Sequence, residues 1–247
     1  MSERRNWTVE EVRSALSLYL RTSFGRIHNK NPEIISLAMA IGRTPSAVAL
    51  KMSNLAALDE SLARKGMQNA SALDRQVWAE FLEQPEFVVS AVTPKDKRTL
   101  YYPQPDKDYS NFHMREGEDK TVSSTQRVGQ QFFREMILAS YGNRCALTGI
   151  EAPQLLVASH IVGWAENKSL RMRPQNGICL NNLHDKAFDR HLITFDEDYR
   201  MIIAEDLPEK SRRALGNVES KTLRMPEKFF PDQSFLAQHR EKFYARS

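Results

Sequence analysis

The segment between residues 155 and 191 constrains the fold most strongly, because two short apolar runs there precede a helical pattern. The first run, LLVAS, ends in His160, and an Asn-Gly pair at Asn176 and Gly177 leads into the second run, ICL. Short apolar runs bounded by turn residues are typical of strands, whereas the following NNLHDKAFDRH is typical of a helix. We therefore predict strand, loop, strand and helix, with the end of the first strand against the start of the helix that carries His184.

Three side chains of this segment suit the hydrolysis of a phosphodiester bond. A neutral imidazole can take a proton from water near pH 7, so His160 at a strand end is a candidate general base. A divalent cation can stabilise charge on the phosphate and on the leaving oxygen, and His184 is a candidate ligand for it. Asn176 can brace the loop that orients the base. Each residue also has a structural interpretation, as a strand-end His, an exposed helical His and an Asn-Gly turn.

Taken together, four stretches resemble the HNH family of endonucleases, also called His-Me finger or ββα-metal nucleases, in its bacterial restriction-type branch. These stretches are residues 145–149 (CALTG), 155–164 (LLVASHIVGW), 176–177 (NG) and 183–189 (LHDKAFD). The resemblance is dense over residues 125–205 and looser over residues 7–60. It implies that His160 is the general base, Asn176 the middle catalytic residue and His184 a metal ligand.

Two departures from the family pattern concern the metal site. Ser159 stands where many members place Asp or His, and Phe188 lies in the region of the helix where many members place a second His. The resemblance therefore implies His184 as a metal ligand, with Asp189 and Ser159 as additional candidates. Water and phosphate would fill the remaining positions around the ion. Such a site favours a hard cation, Mg²⁺ first, with Mn²⁺ as a substitute. No CxxC pair is present for a tetrahedral cysteine zinc site.

Residues 7–58 predict a helical unit with well-marked helix ends. Thr8 with Glu11 forms a capping-box pattern, and Asn31 followed by Pro32 is a typical helix start. Gly42 is expected to end that second helix before a third begins. The short turn between two helices is the pattern of a helix-turn-helix.

This N-terminal unit resembles the small tri-helical DNA-binding unit often fused to bacterial HNH nucleases. The resemblance implies that the first turn of the last helix reads bases through the exposed residues Arg43, Ser46, Ala47 and Lys51. A helical packing or dimerisation module is the alternative.

A second set of candidate DNA contacts lies on the predicted helix before the finger. Arg127 and Arg134 could meet the backbone of a duplex there, and a solvated amphipathic face is the alternative.

The predicted fold class is α+β, with three regions along the chain. Residues 1–65 form the helical DNA-recognition domain, residues 66–119 a helix and a charged, proline-rich linker, and residues 120–247 the HNH nuclease domain with flanking helices. Residues 145–149, CALTG, are predicted to be a further strand of the nuclease domain.

The composition excludes few classes of protein, but it bears on the cellular compartment in which the protein is expected. The net charge is +4, and basic residues outnumber acidic ones from 120 to 144 and from 208 to 228, which is compatible with phosphate binding but also with solvated helix faces. The two cysteines are too few for a disulfide framework, and neither a secretory signal nor a membrane-spanning run is recognisable. We therefore expect a cytoplasmic protein.

The leading functional hypothesis is a metal-dependent DNA endonuclease of a restriction or defence system, acting on double-stranded DNA. A preference for modified bases stays open. The alternatives are a non-catalytic DNA-binding regulator with a degenerate HNH fold and an RNA-cleaving toxin. One active site cuts one strand at a time, so we expect a homodimer, at least on DNA. Aromatic residues of the C-terminal stretch could form its interface or pack back on the finger.

Overall fold

The computed structural model describes residues 5–60, 62, 69–85, 87–90 and 124–246, without the side chains of residues 90 and 124–127. The elements in chain order are α1 (Val9–Arg21), α2 (Pro32–Ala40), α3 (Pro45–Ala56), α4 (Ala72–Glu83), α5 (Phe87–Ser90), α6 (Ser124–Ser140), β1 (Leu156–His160), β2 (Gly177–Asn181), α7 (Asn182–Asp189), β3 (Ile193–Phe195), β4 (Met201–Ile203), α8 (Glu209–Gly216) and α9 (Gln233–Ala245). Helices and two small antiparallel hairpins make this an α+β fold, as the sequence predicts.

The N-terminal helices begin where the sequence predicts them. Thr8 and Glu11 form a reciprocal capping box at the start of α1. The Asn31 side chain caps α2 with Pro32 in its first turn, and Thr44 caps α3 in the same way. These side chains satisfy backbone N–H groups that have no partner inside the helix, so the three starts are set by local chemistry.

A sharp turn separates α2 from α3, and the two helices are bent by 105° to each other. Gly42 in this turn has φ +65°, a conformation that glycine adopts without strain. The angle lies within the range of helix-turn-helix units. Across the described residues, no single helix has the length and apolar content to cross a membrane, and α2 and α3 reach it only as this bent pair.

The finger consists of the β1–β2 hairpin and α7, which confirms the predicted strand, strand and helix. Leu156 pairs with Asn181 and His160 pairs with Gly177. The predicted strand at residues 145–149 is wrong. That stretch is a turn in which Gly149, at φ +67°, donates its N–H to the Cys145 carbonyl at 3.1 Å.

One continuous core crosses the predicted boundary between the helical unit and the finger. Helix α6 packs against α1 on one side and against β1 and β2 on another. Tyr19 of α1 and Trp78 of α4 both contact the ring of Phe229, at centroid distances of 6.4 and 6.1 Å. The proline-rich part of the predicted linker, residues 91–119, lies outside the described residues. The domain limits stay a prediction, but the described parts of residues 1–65 and 120–247 share packing.

Much of the C-terminal apolar stretch packs back on the protein, which was one of the two alternatives, although Tyr244 is exposed. Phe229, Leu236 and Phe243 are buried within the chain. These side chains are therefore not available as the surface of a homodimer.

Lys228 connects the finger side of the chain to α1 through a buried amine. Its side chain is 0% exposed, and Nζ donates to the carbonyl oxygens of Tyr19 at 2.7 Å and Thr22 at 2.8 Å. These carbonyls end α1, where the helix dipole favours a cation. Burial lowers the pKa of Lys228 to about 7, although Asp59 and Glu227 act in the opposite direction.

We predict that Lys228 makes the free energy of unfolding depend on pH. Between pH 7 and pH 10 the unfolded chain keeps a proton on this amine that the folded protein loses, so stability rises with pH. From pH 7 to pH 9 the parent should gain about 2 kcal/mol relative to Lys228→Met, as measured by urea denaturation. The exposed Lys221, changed to Met, is the matched control and should show no such difference. Parallel pH profiles of the parent and Lys228→Met would contradict the prediction.

Candidate active site

His160, the last residue of β1, is half-buried between two aromatic side chains. Its ring stacks on Phe133 of α6, with a centroid distance of 3.9 Å and an interplanar angle of 15°. The ring of Trp164, in the loop after β1, meets it edge-on at 5.4 Å. Strand and helix thus restrict the rotation of the imidazole, as a positioned general base requires.

A backbone carbonyl determines which nitrogen of His160 carries the proton. Nε2 lies 3.1 Å from the carbonyl oxygen of Arg171. Because a carbonyl oxygen only accepts hydrogen bonds, Nε2 must be the donor, and the neutral ring then has its basic lone pair on Nδ1. This is the tautomer control that a histidine base needs.

Asn176 holds the loop that supplies this carbonyl. Its side chain is fully buried, accepts from the Val162 N–H at 2.8 Å and donates to the carbonyls of Val162 at 3.0 Å and Leu170 at 3.1 Å. The backbone carbonyl of Asn176 also accepts from Ile161 at 3.0 Å. These are the bracing contacts expected of Asn176, and its part in a reaction stays a prediction.

Gly177 allows α6 to come close to this hairpin. A Cβ atom at this position would lie 2.5 Å from Ile137 and 2.8 Å from Phe133. Any side chain would therefore push away the ring on which His160 stacks. The Asn-Gly pair has two separate tasks, a hydrogen-bonded brace and a close approach of backbone to helix.

His184 lies inside the protein rather than on an exposed helix face. It is 1% exposed, and Nε2 lies 3.0 Å from the carbonyl of Leu215, the buried residue near the end of α8. Nδ1 lies 3.0 Å from Oδ1 of Asn181, which also accepts the His184 backbone N–H as the cap of α7. Burial lowers the pKa of His184, partly opposed by the Leu215 hydrogen bond.

The predicted placement of the two histidines needs a correction. The register pairs Leu156, at the start of β1, with Asn181, so α7 begins beside the start of β1 and not beside its end. The ring of His160 is oriented to Arg171 and the ring of His184 to Leu215. The antiparallel hairpin itself causes this, because the second strand ends where the first begins.

The remaining predicted metal ligands do not complete a cation site. Ser159 is buried with an Oγ that has no hydrogen-bond partner among the described residues, and Asp189 is exposed at the end of α7. Within the described ranges, no group of three or more His, Cys, Asp and Glu side chains is placed to hold a metal ion. Both nitrogens of His184 also face protein oxygens. The side chains as positioned therefore do not fit a resident metal ion.

Two of the predicted DNA contacts on the N-terminal unit are engaged inside the protein. Arg43 contacts Glu11 at 2.7 Å and lies over the ring of Trp7. Lys51 is 6% exposed and pairs with the buried Asp74 at 2.7 Å. Their predicted exposure is wrong, because buried carboxylates on other elements bind both cations.

The other predicted contacts differ in their exposure. Ser46, in the first turn of α3, is exposed and accepts from Asn29 at 3.1 Å, and Ala47 beside it is half-buried. Arg134 donates to the carbonyls of Leu156 at 2.6 Å and Pro153 at 2.8 Å, so it holds the start of β1. The side chain of Arg127 lies outside the described residues.

Arg171 is a residue near the candidate base that sequence reasoning missed. Besides its carbonyl contact to His160, its Nε donates to the Trp164 carbonyl at 2.7 Å, and the guanidinium lies 5.0 Å from the Trp164 ring centroid. The only local signal is the basic stretch RMRP, residues 171–174, which Gln175 separates from Asn176. A cation therefore lies beside the aromatic residue that contacts His160.

We predict that Asn176→Ala destabilises the protein by roughly 2–4 kcal/mol, because it leaves buried backbone groups of Val162 and Leu170 unpaired. Urea denaturation measures the loss. The exposed Asn167, which caps a short turn in the same loop, is the matched control, and Asn167→Ala should cost less than about 1 kcal/mol. Equal stability of the two variants would show that Asn176 does not hold the loop.

A family model matches part of this chain. The search of curated proteins found no relative of this chain. The family model described as HNH endonuclease matches residues 145–196, a stretch that contains the β1–β2 hairpin, α7 and β3. It includes His160, Asn176 and His184 at the places described above. Over these residues the chain is similar to the HNH endonuclease family, and the match supports an HNH domain in this part of the protein.

Proposed function

We propose that this protein is a DNA endonuclease that uses His160 as its general base. The observation that carries the proposal is the hydrogen bond from His160 Nε2 to the Arg171 carbonyl, which leaves the basic lone pair on Nδ1. An HNH endonuclease domain suggests nuclease activity on DNA, and the half-exposed ring at a strand end is suited to act on a bound water.

The proposed chemistry is the attack of water on the phosphorus of a phosphodiester. As the water oxygen bonds to phosphorus, its proton passes to Nδ1 of His160, and the bond from phosphorus to the leaving oxygen breaks with its electron pair. The Arg171 guanidinium, placed over Trp164, is the cation that we propose faces the charged phosphate. Phe133 and Asn176 act through position, by holding the ring and the loop.

We predict that His160→Gln lowers the cleavage rate about 10²–10⁴-fold while duplex binding stays unchanged, because glutamine can still donate to the Arg171 carbonyl but cannot accept the proton. Nicking of supercoiled plasmid measures the rate and fluorescence anisotropy the affinity. The exposed His28, changed to Gln, is the control and should cut as the parent does. Near-parental cleavage by His160→Gln would remove this residue from the role of base.

HNH nucleases typically use a divalent metal ion, and Mg²⁺ is our proposed cofactor with Mn²⁺ as a substitute. Because the described side chains do not form a ready site, none of the chemistry above runs through the ion. We predict that EDTA stops plasmid nicking and that added Mg²⁺ restores it. Undiminished cleavage in excess chelator would contradict the cofactor proposal and leave the role of His160 standing.

The biological role and the assembly are further proposals. We propose a restriction or defence role because the order of a helical unit and an HNH finger resembles that of restriction-type HNH proteins. We also propose that the first turn of α3 contacts DNA bases, which the 105° turn between α2 and α3 and the exposed Ser46 support. Arg43 and Lys51 no longer support that reading. A homodimer on DNA would supply two active sites for a double-strand break, and sedimentation of the protein with and without duplex would test it.

A second candidate function is a DNA-binding regulator with a degenerate HNH fold. The observation that favours it is His184, whose two ring nitrogens face Asn181 and Leu215 instead of an open site. The plasmid assay separates the two functions, because a regulator binds duplex without nicking it under any metal condition.

A further inference from the structure

A cleft of about 990 Å³ lies between α8, β4 and the chain that follows α8. Arg212 and Arg213 of α8 and Lys221 line it, together with a single carboxylate, Glu209. All four side chains are exposed. The cleft is open to solvent rather than enclosed, so it is suited to a ligand that lies along the surface rather than to a single bound ion.

The cations of the cleft have different partners. Arg213 pairs with Glu209 one helical turn away. In the part of the chain that the structure describes, neither the Arg212 guanidinium nor the Lys221 ammonium has a carboxylate or carbonyl partner. Three basic residues of the stretch 208–228 line the cleft, whereas Arg224 binds the Tyr141 carbonyl and Lys228 is buried against α1.

The cleft is attached rigidly to the nuclease finger. The Leu215 carbonyl, in the same helix as Arg212, accepts the hydrogen bond of His184 in α7. The β3–β4 hairpin follows α7 directly, and Ile203 of β4 lines the cleft. Helix α8 also packs on β4. A ligand held in the cleft therefore keeps a fixed position relative to the finger.

We propose that this cleft binds the sugar-phosphate backbone of duplex DNA, with Arg212 and Lys221 as the phosphate contacts. The inference rests on the proposed function, because it takes the nuclease substrate as the ligand. Neutralising phosphates with exposed Arg and Lys side chains releases counterions, so this contact contributes affinity that falls with salt and does not depend on base sequence. It holds the duplex beside the finger while His160 acts elsewhere.

The test compares Arg212→Gln/Lys221→Gln with Arg26→Gln/Arg75→Gln. The second pair removes the same charge from exposed positions before α2 and in α4, outside the first turn of α3. Both pairs are made in the His160→Gln protein, so that the duplex stays intact. Affinity for two duplexes of unrelated sequence is measured by anisotropy over a range of salt concentrations.

We expect the cleft pair to reduce the magnitude of the slope of log K against log salt by about 2, equally on both duplexes, and the control pair to leave it unchanged. An unchanged slope in the cleft pair, or an equal change in both pairs, overturns the proposal. Plasmid nicking by the parent protein separates it from the proposed function. If the parent nicks plasmid but the cleft pair leaves the salt slope unchanged, the DNA-binding role of the cleft is refuted and the nuclease function stands. If the cleft pair reduces the salt slope but the parent does not nick plasmid, the nuclease function is refuted and the DNA-binding role stands.

Discussion

The buried side chain of Asn176 is the contact on which the geometry of the finger depends. Its amide satisfies backbone groups of Val162 and Leu170, and these bonds close the long loop between the two strands. In this loop the Arg171 carbonyl lies 3.1 Å from Nε2 of His160. One amide thus determines the loop path, the tautomer of the imidazole and the position of its lone pair, although it does not itself touch the ring in any described contact.

Helix α6 packs against both His160, the candidate base, and the N-terminal helical unit. Phe133 on this helix stacks on His160, while Glu135, two residues later, pairs with Arg21 of α1 at 3.5 Å. Burial raises the pKa of Glu135, and Arg21 acts against that shift. On another side of α1, Lys228 joins the chain after the finger to the last carbonyls of the helix. The aromatic ring that stacks on His160 is therefore carried by a helix that also packs against the N-terminal unit.

Local chemistry explains which parts were predictable from the sequence. Helix starts at Thr8, Asn31 and Thr44 depend on side chains within three residues, and the strand-strand-helix order of the finger follows from apolar runs and turn residues. Contacts between distant parts of the chain were not predictable. No local pattern shows that Lys51 will be neutralised by Asp74, or that His184 will find a carbonyl 31 residues later. The prediction of a strand at residues 145–149 was wrong because strand pairing also depends on a distant part of the chain. Ala146 donates one backbone hydrogen bond to the Cys179 carbonyl in β2, and this single bond is not a ladder.

The three candidate site residues contribute in unequal ways. Asn176 and His184 are both buried, and their polar atoms bind protein groups. Replacing either residue therefore lowers the free energy of unfolding, whatever its effect on a reaction. His160 alone combines a half-exposed ring with an orientation set from outside, by the Arg171 carbonyl on its edge and Phe133 on its face. A loss of activity at the two buried positions would therefore say little about catalysis. The chemical argument concentrates on Nδ1 of His160, and the other two residues explain why that atom is held where it is.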